Sequence, residues 1–65
     1  MKPECKLIGE NGNVFNLIGI VRRTLKVNGL HDQLLKFDED FAQLRAQGGG
    51  YHDVLNLFDQ YVTVI

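Results

Sequence analysis

Residues 7–19, Leu-Ile-Gly-Glu-Asn-Gly-Asn-Val-Phe-Asn-Leu-Ile-Gly, hold a short apolar strand, a glycine turn, a helix cap and the start of an amphipathic helix. That order constrains the fold more than any other segment. Residues 5–9 read as a strand, and residues 1–4 as a loose start, because Pro3 opposes regular pairing. Asn11-Gly12 is a turn signal, since both residues tolerate positive φ. A hairpin continuing through Val14-Phe15 is the rival reading. It loses because the apolar period changes after the turn.

Val14, Leu17, Ile18, Val21 and Leu25 recur at helical spacing and make one apolar face. Asn13 is placed to cap this first helix through its side-chain oxygen. Arg22, Arg23 and Lys26 gather near its end, where positive charge meets the negative pole of the helix dipole. Asn28-Gly29 then predicts a left-handed C-cap, with Leu30 supplying the apolar contact that accompanies such a cap. Gly19 interrupts the helix at a cost of up to about 1 kcal/mol, which predicts close approach by another backbone.

A second helix is predicted over 31–46. Leu30, Leu34, Phe37, Phe41 and Leu44 form its buried stripe, and Asp38, Glu39, Asp40 and Gln43 a solvated face. Gln47-Gly48-Gly49-Gly50 predicts a mobile connection, with Gly50 as a weak cap for the third helix. That helix is predicted over 51–60, burying Tyr51, Val54, Leu55, Phe58 and Tyr61 or Val62. Residues 61–65 are β-branched and aromatic and read as a closing strand that pairs with residues 5–9. The expected fold is therefore α+β: one domain over 1–65, with three helices and two short strands near the chain termini.

Sixty-five residues bound what such a domain does. A chain this small buries only about 60% of its unfolded surface, so its core supplies on the order of 3–5 kcal/mol. Small domains commonly add a staple. The lone Cys5 excludes an intrachain disulfide, and self-association into a homodimer is the expected device. The single thiol predicts a reducing, cytoplasmic setting. No apolar run approaches the roughly 20 residues of a membrane span. Charge is uneven: residues 1–29 carry five cations against two acids, and residues 30–65 carry two against six. The halves should attract, within one chain or between copies.

The residues Leu7, Gly9, Gly12, Asn13 and Phe15 form a Leu-x-Gly-x-Asn-Gly-Asn-x-Phe pattern. With Ile18, Gly19, Arg23, Gly29, Gly49, Tyr51, Leu55, Val62 and Val64, the chain resembles a small uncharacterised protein family of phages, plasmids and their bacterial hosts. Asn11 stands where that family usually has Asp, and Gly50 where an acidic residue usually precedes the tyrosine. The resemblance implies a fold and a mobile-element origin, and no mechanism.

Candidate chemistry is sparse. Cys5, His31 and His52 lie far apart without metal-ligand spacing, so no metal site or cofactor is expected. The pairs His31-Asp32 and His52-Asp53 fit the first turns of helices. There is no serine, and Cys5 has no adjacent base, which makes it a small buried thiol. The triple glycine lacks the Lys-Ser or Lys-Thr of a phosphate loop. No catalytic residue is predicted. The expected function is a non-enzymatic accessory or protein-interaction module, dimeric or bound to an unidentified protein. Ile20, Val27, Leu35 and Leu57 are the apolar residues expected on its surface. The alternative is a small nucleic-acid-associated factor contacting phosphate through Arg22, Arg23 and Lys26. The four acids of the second helix oppose a helix-turn-helix reading.

Overall fold

Asn13 starts the first helix, α1 (Val14–Val27), as its sequence predicts: its side-chain oxygen accepts from Phe15 N at 2.9 Å. The computed structural model describes residues 2–65, so Met1 of the predicted loose start lies outside the description. Leu17, Ile18, Val21 and Leu25 are buried along α1, with Val14 half-buried beside them. The helix closes in a Schellman motif. Gly29 takes φ +71 and donates to Lys26 O, while Leu30 N reaches back to Leu25 O at 2.9 Å.

The second helix, α2 (His31–Ala46), buries only Phe37 completely. Leu30, Leu34, Phe41 and Leu44 are half-buried and pack against the core. The connection after α2 is hydrogen-bonded, contrary to the mobility its glycines suggest. Gly48 at φ +76 donates to Arg45 O, and Gly49 N donates to Leu44 O at 2.9 Å. These bonds make a second Schellman cap. A Cβ on Gly49 would stand 2.6 Å from the Leu44 side chain, so any other residue there would force Leu44 to move.

Gly50 N donates to the Asp53 carboxylate at 3.0 Å at the start of α3 (Tyr51–Asp59). This is one half of a capping box, because glycine has no side chain to return the bond. Val54, Leu57 and Phe58 are buried on α3. Two expectations fail here: Leu57 is buried rather than exposed, and Tyr51 is 46% exposed rather than buried. The helix ends one residue earlier than predicted, and the turn after it carries Tyr61 and Val62 into the core.

The strands are shorter than their sequences suggest. β1 (Glu4–Cys5) and β2 (Thr63–Val64) pair in parallel, with Glu4 opposite Thr63 and Cys5 opposite Val64. Pro3 does not prevent pairing, since its carbonyl accepts from Thr63 N at 2.9 Å. The ladder runs on past the formal strand: Leu7 N and Ile8 N both donate to Ile65 O. The fold class is α+β. The sheet rests on α1 and α3, α1 under β1 and α3 under β2, and α2 packs on the far side of both helices. The core between these layers centres on Phe37, with the ring of Tyr61 edge-on at 5.3 Å and Phe58 at 6.1 Å. Such aromatic pairs add about 0.5–1.5 kcal/mol each beyond the area they bury.

The first turn also differs from expectation. Gly12 has no positive φ; the left-handed residue is Gly9, at φ +89. Glu10 N closes the reversal onto Leu7 O at 3.1 Å, and the Asn11 side chain accepts from Asn13 N at 2.9 Å. Asn11 thus supplies an Asx turn in ordinary geometry.

Candidate functional site

The charge asymmetry acts within the chain. Arg22 on α1 meets Asp38 on α2 through two parallel contacts, Nε to Oδ1 at 2.9 Å and Nη2 to Oδ2 at 3.1 Å. Both side chains remain over 40% exposed, so water weakens the pair to below about 1 kcal/mol. The pair joins the solvent-exposed sides of α1 and α2. The face of α2 expected to be solvated is therefore divided. Asp38 turns towards Arg22, and Asp40 accepts from the Tyr61 hydroxyl. Both carboxylates are half-buried. Burial, and after it the Asp40 carboxylate, pushes the Tyr61 phenol well above its ordinary pKa.

Of the basic cluster, Arg22 is committed to Asp38. All three of Arg22, Arg23 and Lys26 line an open groove of about 560 Å³ with Gly19, Val27, His31 and Leu34. A Cβ on Gly19 would meet nothing within 4 Å. The predicted close approach to Gly19 is absent among the described residues, and Gly19 borders the groove instead. His31 and His52 sit in the first turns of α2 and α3, as expected, and Cys5 is a buried thiol. Among the described residues no three His, Cys, Asp or Glu side chains come together in a metal-binding arrangement, and no helix is long and apolar enough to cross a membrane.

The predicted caps sort into two roles. Asn13, Gly29 and Gly50 act at helix ends. Gly12 instead offers its carbonyl to the Tyr51 hydroxyl at 2.8 Å, which ties the loop before α1 to the start of α3. Around that tie lies an apolar hollow of about 300 Å³, lined by Leu7, Ile8, Leu17, Leu55 and Phe58 among others. Ile8 stands 70% exposed at its rim. Phe15 is also exposed, and the Arg45 guanidinium lies 6.0 Å from its ring centre.

A second apolar region flanks β1. Thr24 Oγ1 lies 3.3 Å from Cys5 Sγ and donates to Ile20 O at 2.9 Å, which seats α1 beneath the strand. Ile20 and Val27 stand four residues before and three after Thr24, so they share its flank. Ile20 is half-buried and Val27 is 71% exposed. In β1, the parallel register turns the backbone groups of Glu4 and Lys6 away from β2. Sequence reading did not single out Glu4. The signal available was the alternation of exposed Glu4, Lys6 and Ile8 with buried Cys5 and Leu7, which marks a strand with one face in water.

Comparison with known protein families, curated proteins and solved structures finds no match to this chain.

Proposed function

We propose that this chain is a non-enzymatic protein-interaction module that works as a homodimer, in an accessory role on a mobile element. The observation that carries the reading is the exposure of large apolar side chains. Ile8, Phe15, Val27, Leu35, Tyr51 and Ile65 are each at least 46% in contact with solvent. Single exposed apolar residues are ordinary. Here Val27 borders the groove between α1 and the start of α2, and Ile8 and Tyr51 border one hollow. Apolar surface grouped in this way and rimmed by charge is what an interface presents. The mobile-element setting is supported by the pattern running from Leu7 to Phe15.

Phosphate binding through Arg22, Arg23 and Lys26 has weaker support. Arg22 already serves Asp38. Sedimentation equilibrium from low micromolar to near-millimolar protein tests the homodimer. The expected result is a mass rising from one chain to two. A mass fixed at one chain across that range overturns the reading.

A further inference from the structure

We propose that the second copy docks on the open edge of β1, its own β1 running antiparallel about a twofold axis at Cys5, so that the two sheets merge in the order β2-β1-β1-β2. This rests on the homodimer reading above and specifies its interface. In the parallel ladder, Pro3 O and Cys5 O accept from β2 and Leu7 N donates to it, so residues 3, 5 and 7 face β2, and the chain turns beyond them where Ile8 N also donates to Ile65 O. The N–H and C=O groups of Glu4 and Lys6 point the other way. Neither α2 nor α3 packs on β1, which leaves that edge open to an added strand.

Antiparallel strands alternate between pairs that exchange both backbone hydrogen bonds and pairs that exchange none. An edge whose outward groups belong to residues 4 and 6 must place both in hydrogen-bonded pairs. Three twofold registers do so near the strand centre. A centre at Glu4 sets Glu4 against itself, and a centre at Lys6 sets Lys6 against itself. A centre at Cys5 sets each Glu4 opposite Lys6 of the other copy, twice by symmetry. Opposite charges directly across a ladder are favourable and like charges are not, so the sequence Glu4-Cys5-Lys6 selects the third register. In that register Pro3 faces Leu7 of the other copy at a position that exchanges no bonds, where its missing N–H costs nothing.

Because α1 packs against β1, the same axis places the two copies of α1 on one side of the merged sheet. Strand pairing sets the orientation of the two copies.

Charge exchange tests the register. Glu4 and Lys6 are exposed and make no side-chain contacts that hold the fold, and circular dichroism of each variant verifies retained helix. Glu4→Lys or Lys6→Glu alone puts like charges opposite each other at two symmetric places and should weaken dimerisation about tenfold. The double variant Glu4→Lys, Lys6→Glu restores opposite pairs and should return the dimer constant to within about threefold of the original. A wild-type dimer insensitive to both single changes overturns this edge and leaves the homodimer reading standing. Weakened single variants that the double change does not rescue overturn the Cys5-centred register. A wild-type chain that stays monomeric removes both this interface and the homodimer reading.

Discussion

Tyr61 joins the closing segment to α2 through its hydroxyl, which donates to the Asp40 carboxylate. The residue is 5% exposed and also meets Phe37 edge-on, so one side chain carries both a packing contact and a polar anchor. Burial and the neighbouring carboxylate both disfavour a phenolate, which raises its pKa above the ordinary 10.0. The consequence for stability has a definite sign. Below the unfolded value the phenol is neutral in both states, and its contribution is constant. Above it the unfolded chain releases a proton that the folded chain retains, so stability falls with rising pH, by up to about 1.4 kcal/mol per unit. Tyr61→Phe keeps the ring and removes the donor. It should cost about 1–2 kcal/mol near neutrality, and that difference should shrink above pH 10.0. Urea melts of both proteins across that range check it; a difference that stays constant above the threshold contradicts the assignment.

The three helices differ in how far their sequences disclose them, and the cause is local chemistry. α1 was legible throughout, because its cap, apolar period and Gly29 terminus each act within a few residues. α2 was legible in extent but not in burial. Its Leu30–Leu44 stripe faces a core too small to cover it, and only Phe37 is fully enclosed. The glycines were the least legible. Gly12 and Gly19 carry no conformational or steric demand, whereas Gly9, Gly29 and Gly48 take positive φ and Gly49 passes against Leu44. A sequence shows that glycine is present, but the turn's hydrogen bonds decide which glycine must be there. Two substitutions should therefore act in opposite directions. Gly48→Ala forces a side chain into left-handed backbone at the end of α2, costing about 1–2 kcal/mol. Gly19→Ala removes a flexible residue from the middle of α1 where a Cβ meets nothing, gaining up to about 1 kcal/mol. Chemical denaturation of the two variants beside the parent checks the signs. Equal effects would mean that the Schellman geometry after α2 exerts no control.

The whole molecule is closed by its most distant contact in sequence. Three helices lie between β1 and β2, and an odd number of lengthwise passages returns the chain to the end from which β1 started. β2 then runs alongside β1 in the same direction, which is the parallel pairing observed. Helix count sets that direction, so it was not readable from the strand residues alone. The short ladder seals one side of the core. Leu7 N, Ile8 N, Pro3 O and Cys5 O all find their partners in Thr63 and Ile65, and beneath them the Cys5 thiol is 1% exposed. Phe37 and Phe58 lie deeper, between helices, and Tyr61 reaches them from the turn before β2. Removing residues 63–65 should therefore open the sheet without dissolving the helical layers. At a concentration low enough to keep the chain monomeric, the Cys5 thiol of the shortened protein should react with a disulfide reagent at least about tenfold faster than in the full chain, because segments held by few buried contacts open at low cost. Circular dichroism should meanwhile show the helices retained. An unchanged reaction rate would mean that α1 alone shields Cys5. Loss of helix on truncation would mean that β2 belongs to the same cooperative unit as the aromatic core.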